Sequence, residues 1–141
     1  MHKKVLGLIL VDQIAKLIFW SRDFFIGPIH VHSIKNFGLA FNLNFGMLAN
    51  IIIMLAALGF FIYYYVTNIH TPSLWISISF ALIFAGAIAN LADRLYLGYV
   101  RDFLDLGLGF TFNLADAFLV VGLIGFLVYY QEPRAHFSDV I

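Results

Sequence analysis

Four apolar stretches, 5–20, 45–66, 74–92 and 112–130, divide the chain, and polar residues gather between them and at their ends. A helix rises about 1.5 Å per residue, so about 20 apolar residues cross a hydrocarbon core about 30 Å thick. The last three stretches are close to that length. The first, at sixteen residues, is shorter, and Lys3 and Lys4 are expected to snorkel toward the interface. Only TNIHTP separates the second stretch from the third, a short turn with Pro72 just ahead of the next helix. The other two connections are longer and richer in polar residues and glycine, which puts the working end of the molecule at the opposite membrane face. In the first of them Ile29, His30, Val31 and His32 alternate in the manner of a strand, predicting a small interfacial sheet across 22–44. The second, 96–111, carries Gly98, Gly107 and Gly109 and is expected to turn tightly.

Composition strengthens the membrane reading. The 141 residues are 62% hydrophobic and only 11% charged, with a mean hydropathy of +0.94, where soluble chains carry about 25% charged residues. Eight basic and eight acidic residues cancel, and without a clustered basic face nucleic acid is excluded as a partner. The absence of cysteine excludes disulfides, thiolate nucleophiles and cysteine-ligated metal centres. The first twenty residues have the basic end and apolar run of a signal peptide. Asp12, Gln13 and Lys16 interrupt that run and no small-residue cleavage site follows, so a retained first span is expected. For four spans the basic residues divide into Lys3, Lys4 and Arg134 on one side against Arg22, Lys35, Arg94 and Arg101 on the other, which does not decide orientation. If Arg94 and Arg101 are held inside a site, the termini become cytoplasmic and Tyr63, Tyr64, Tyr65, Tyr129 and Tyr130 form the inner aromatic belt.

Against this apolar background Asp102 in VRDFLDL and Asp116 in FNLADAFLVVG flank the glycine-rich connection. An ionised Asp at a helix centre in lipid costs roughly 2.5 to 3.5 kcal/mol on insertion scales, so such residues face a partner, water or a substrate. Asn90 lies three and four residues before Asp93 and Arg94, and Asn113 three before Asp116, which gathers polar faces at one membrane surface. Asp116 falls in the first turns of its helix, where the amide dipoles favour a negative charge. Two carboxylates sharing one proton supply a general base for water and a general acid for the departing group. The chain has no H-E-x-x-H, no G-x-S-x-G and no cysteine, which supports an aspartyl reading by elimination. On spacing alone, a catalytic pair and a pair of helix-capping carboxylates stand equal.

Other polar residues have simpler readings beside the functional ones. Asp12 and Lys16, four apart with the acid first, suit a structural ion pair. Asp93 reads as the partner of Arg94. Asn90 and Asn113 serve either as interhelical hydrogen-bonding groups or as substrate contacts. His30 and His32 share one face of the expected strand, but no third ligand follows at a recognisable spacing, so they are read as surface polar residues. Asp105 is read as solvated. No metal and no cofactor is implied.

The ordered set VDQIAK, KNFGLAF, AGAIANLADRLYLGYVRDF and FNLADAFLVVG, spanning nearly the whole chain, resembles the signal peptidase II family, the bacterial prolipoprotein signal peptidases. The resemblance implies an all-α membrane protein of four transmembrane helices with a small extracytoplasmic β-cradle at 22–44, one integral membrane domain over 1–141. It implies both termini in the cytoplasm and an active site toward the extracytoplasmic side of the bacterial inner membrane. The family's V-x-D-F acid falls on Asp102 and its F-N-x-A-D acid on Asp116, the implied catalytic dyad. Asn36, Asn90, Arg94 and Asn113 match its substrate-holding positions, and Asp12, Lys16 and Asp93 its structural polar ones. The implied activity is cleavage of diacylglyceryl-modified prolipoproteins just before the lipidated cysteine, by a monomer whose partners are those substrates and membrane lipids. Ala85 and Ala89 stand where the family usually has glycine, and Phe37 and Leu39 add bulk to its N-T-G-A-A-F segment. A pseudoprotease that binds signal peptides without cutting, or a small proton-relaying bundle, are the alternative functions.

Overall fold

The computed structural model describes residues 1–39, 43–70 and 72–131, without the side chain of Gln131. Ala40 and Phe41 of KNFGLAF, Thr71 of the short turn and Arg134 of the charge count lie outside the described residues. The order is α1 (His2–Phe19), β1 (Asp23–Ile26), β2 (Ile29–Asn36), α2 (Met47–Asn68), α3 (Leu74–Leu97), β3 (Val100–Asp105), β4 (Thr111–Phe112) and α4 (Leu114–Gln131). The protein is mostly helical, and its strands form one antiparallel sheet in the order β1-β2-β3-β4.

Only half of that sheet comes from the 22–44 segment. The 96–111 connection, expected as a glycine turn, supplies β3 and β4, with Gly107 and Gly109 at positive φ in the bend between them. Its strand character is hidden because VRDFLD mixes charge and apolar residues on a short segment with both sides covered: Val100, Arg101, Asp102 and Phe103 are all buried. The third helix also runs past residue 92 to Leu97, where Gly98 at φ 82° closes it by donating its N–H to the Arg94 carbonyl. Polar residues near the end of the apolar stretch do not stop the helix, because Asn90, Asp93 and Arg94 are buried against partners.

Helix α3 is the centre of the molecule and packs on α4, α1 and α2. Ser73 caps its start by accepting from the Ile76 N–H. Phe80 lies at the heart of an aromatic cluster with Phe61, Tyr64, Tyr65, Phe84 and Phe126. Tyr64 and Tyr65 are therefore half-buried against this core, whereas Tyr63, Tyr129 and Tyr130 are exposed. By length and composition α2 and α3 are each apolar enough to cross a membrane. Exposed Leu48, Ile52, Leu55, Phe60 and Val66 cover α2, a surface suited to hydrocarbon.

Close approach of α3 and α4 depends on small residues. A Cβ at Gly122 would lie 2.7 Å from the Ser79 carbonyl oxygen and 2.8 Å from Ile83 Cγ1. Gly86 meets Ala115 and Leu119 in the same way. The first helix is held by charge instead. Lys16, fully buried, pairs with Asp12 at 2.8 Å and with Asp93 of α3 at 3.3 Å, and Asp93 pairs with Arg101 of β3 at 2.7 Å. Asp12 also accepts the Ala115 N–H of α4 at 2.8 Å, so two acids and two bases tie α1, α3, β3 and α4 with no net charge. Removing one member of such a buried set strands its partners.

Two outcomes follow for unfolding measured in detergent. Gly122→Ala is expected to lose about 1–3 kcal/mol through overpacking, while Gly59→Ala on α2, where a Cβ meets nothing within 4 Å, is neutral or better by up to about 1 kcal/mol. Lys16→Met is expected to lose about 3–5 kcal/mol, because Asp12 and Asp93 lose their shared cation.

Candidate active site

Asp102 and Asp116 reach the site from different kinds of element. Asp102 lies in the middle of β3 and is 1% exposed; Asp116 lies in the first turn of α4 and is half-buried. Strand alternation aims successive side chains to opposite sides. Arg101 accordingly turns back to Asp93 while Asp102 turns to Asn36 and Asn113.

The start of α4 explains FNLAD in local terms. Asn113 caps the helix: its Oδ1 accepts the Asp116 N–H at 3.0 Å, and Asp116 Oδ2 accepts the Asn113 N–H at 3.2 Å. This is a reciprocal capping box with aspartate as the returning acid. The Asn113 Nδ2 is left free to donate to Asp102 Oδ1 at 2.6 Å and to Asn90 Oδ1 at 3.2 Å. One residue thus ends β4, starts α4 and joins the two acids.

Each of the four carboxylate oxygens has an amide donor. Asp102 takes Asn113 on Oδ1 and Asn36 Nδ2 on Oδ2 at 2.8 Å. Asp116 takes Asn90 Nδ2 on Oδ1 at 2.7 Å and the Asn113 backbone on Oδ2. The orientation of Asn90 follows from Lys16, which carries only donors and lies 3.0 Å from Asn90 Oδ1, so the Asn90 amino group must face Asp116. Asn36 is set from the other side: its Oδ1 accepts the Gly38 N–H at 2.8 Å, and Arg94 donates to the Gly38 carbonyl. Arg94 therefore braces the loop after β2. The expected Arg94–Asp93 pair is replaced by Asp93 with Arg101 and Lys16, because Asp93 sits a different way round α3 and meets the cations of α1 and β3.

Burial raises the Asp102 carboxyl to about 7, and the nearby Asp116 charge pushes in the same direction against the lowering effect of the Asn36 and Asn113 hydrogen bonds. With its carboxyl near 7 beside the Asp116 charge, Asp102 can hold a proton near neutrality, a condition that suits paired acid and base chemistry.

Gln13 and Asn50 escaped sequence reasoning as members of this constellation, and Arg101 entered it only as a cation conditionally held inside a site. Gln13 donates to Asp93 Oδ1 and the Ala89 carbonyl at 3.3 Å and accepts from Arg101 at 2.6 Å. Its place beside Asp12, three before Lys16, was the available signal. Arg101 had one too, through alternation beside Asp102. Asn50, buried at the start of α2, donates to the Phe37 carbonyl at 2.9 Å and accepts the Phe45 N–H at 3.3 Å, pinning the loop that carries Gly38. Nothing in the sequence distinguishes it from an ordinary helix-end asparagine. Ala85 and Ala89 are fully buried, and Gly86 preserves the approach to α4 beside them.

The family model for signal peptidase (SPase) II matches residues 5–131. A lipoprotein signal peptidase of Dehalococcoides mccartyi is 37% identical over 138 residues, covering 86% of this chain and 82% of that protein. One from Halothermothrix orenii is 34% identical, covering 92% and 94%. A solved bacterial membrane enzyme superposes with a TM-score of 0.83 at 26% identity, covering 98% of this chain and 91% of that one. A family match across nearly all of the apolar helices and both acidic segments leaves one assignment: the chain belongs to the signal peptidase II family.

Proposed function

We propose that this chain is a membrane aspartyl endopeptidase that removes the signal peptide from diacylglyceryl-modified prolipoproteins just before the lipidated cysteine, with Asp102 and Asp116 as its dyad. The observation that carries the reading is the set of amide donors, Asn36, Asn90 and Asn113, which supplies every oxygen of both acids and ties the pair through one residue. The ionised member takes a proton from water, and the water oxygen bonds to the scissile carbonyl carbon. The protonated member gives its proton to the carbonyl oxygen. The gem-diol then collapses: the C–N bond breaks, the carbonyl reforms, and a proton passes to the leaving amine. Asn36, Asn90, Arg94 and Asn113 hold the acids and the substrate backbone, and Asp12, Lys16 and Asp93 support them from behind.

We also place all of residues 1–141 in one multi-pass domain of the bacterial inner membrane, acting as a monomer among lipids. Both long connections, and with them the sheet, lie at one end of the helices, which supports four spans with cytoplasmic termini and the site at the extracytoplasmic face. The pseudoprotease alternative has no comparable support, since the buried alanines at 85 and 89 leave the α3–α4 seam intact, and the lipoprotein signal peptidase relatives favour neither it nor the relay.

A gel-shift assay in detergent with a diacylglyceryl-modified precursor tests the reading. The parent is expected to give the shortened product, and Asp102→Asn and Asp116→Asn to slow its formation by about 10²–10⁴-fold; equal product from all three would remove the dyad. The pH profile provides a second check. Asp102 keeps its proton up to about 7, so the protonated acid is present below that pH and is lost above it. Turnover is expected to fall by about tenfold per unit as pH rises beyond the transition, and a rate that stays flat from neutrality to pH 9 would contradict it.

A further inference from the structure

The histidine pair on β2 acquires in three dimensions the third ligand that its sequence surroundings lack. His30, His32 and Asp105 each aim one donor atom so that all of these atoms lie within 4.8 Å of one another. The sheet brings this about: His30 pairs directly with Asp105 across β2 and β3, while His32 pairs with Asp23 across β1 and β2. Diagonal contacts cross the same row, with His30 Nε2 2.8 Å from Asp23 Oδ1 and His32 Nε2 3.4 Å from Asp105 Oδ2. The two imidazoles stack 4.2 Å apart, and Phe25 stacks on the outer face of His30 at 4.2 Å. All three proposed ligands are partly buried, so their side chains are restrained before any ion arrives.

We propose that His30, His32 and Asp105 form a zinc-binding site on the sheet, with Asp23 or water as the fourth ligand. Two imidazoles separated by one residue on a strand, joined by a carboxylate from the neighbouring strand, are a donor set of the type zinc takes with three protein ligands. Bonds of about 2.0–2.1 Å in a tetrahedral shell place ligand atoms about 3.3 Å apart. The His32–Asp105 separation of 3.4 Å already has that value, and the widest separation in the set closes by side-chain rotation. The Asp105 carboxylate is also anchored, accepting the Gly107 N–H at 2.7 Å through its other oxygen. Imidazole and carboxylate together suit zinc better than magnesium or calcium, which take oxygen ligands. An ion here would clip the outer ends of β2 and β3 together, and with them the two strands that carry Asn36 and Asp102. The site is separate from the dyad chemistry, which uses no metal in the mechanism above.

The test is calorimetric titration of zinc ion into the full chain in detergent, after removal of any affinity tag and chelator. The parent is expected to bind one zinc with a rise in unfolding temperature, and His32→Gln and Asp105→Asn to weaken binding by at least about 10-fold to 100-fold. Cobalt in place of zinc is expected to give the intense visible absorption of a four-coordinate site in the parent alone. Circular dichroism and retained precursor cleavage establish that the variants are folded, and Asp105→Asn, on the sheet surface, carries the test if His32→Gln does not fold. Absence of zinc binding by the parent, or equal binding by the folded variants, overturns the proposal.

Discussion

Asn113 is the residue on which the arrangement of the site depends. Its backbone N–H and side-chain oxygen close a capping box with Asp116, and its amino group reaches Asp102. The requirement behind this is general: a carboxylate taken out of water must be given donors where it lies. A helix N-terminus offers spare N–H groups, so placing one acid there and capping it with an asparagine meets the need of one carboxylate with backbone. The cap's own side chain then serves the other. Proximity of the two acids is a consequence of helix capping, so FNLAD is a structural signal in its own right.

Behind the two acids, the charged residues Asp12, Lys16, Asp93 and Arg101 form a neutral layer that is linked to Asp116 through the Asn90 amide. Lys16 illustrates the coupling. Its ion pairs hold α1 against α3, and the same ammonium fixes the Asn90 amide so that its donor faces Asp116. Fold stability and site orientation therefore share atoms. The two acids themselves are served by neutral amides, which satisfy the carboxylates without holding them ionised as strongly as a cation would; with Asp102 near 7, it can carry a proton at physiological pH.

Much of the fold was readable from the apolar stretches because a long apolar helix imposes length and hydropathy at once. Helices α1 to α4 lie within a few residues of 5–20, 45–66, 74–92 and 112–130. The errors fell where burial was achieved by pairing charges rather than by hydrophobicity. Helix α3 continues through Asn90, Asp93 and Arg94, and β3 runs through Arg101 and Asp102, because these residues are covered by partners far away in the chain. A hydropathy pattern reads each as a surface. The same limitation applied to His30 and His32: the carboxylate beside them is contributed by a strand 73 residues on from His32.

What the sequence by itself determined was the solvent in which the chain lives, the number and approximate position of its apolar helices, and the acids, asparagines and arginine gathered at their ends. Each of these follows from local properties, hydropathy over about 20 residues and i, i+3, i+4 spacing. Spacing gave the Asp12–Lys16 pair, and only the tertiary structure decided how the other charges pair. It matched Asp93 to Arg101 and Lys16 rather than to the adjacent Arg94, sent Arg94 to the Gly38 carbonyl, and completed the sheet with β3 and β4. The physical reason is that a buried ion pair or strand pairing is chosen by what helix packing brings within about 3–4 Å. Apart from the i, i+4 pair of Asp12 and Lys16, separation along the chain carries no information about that distance.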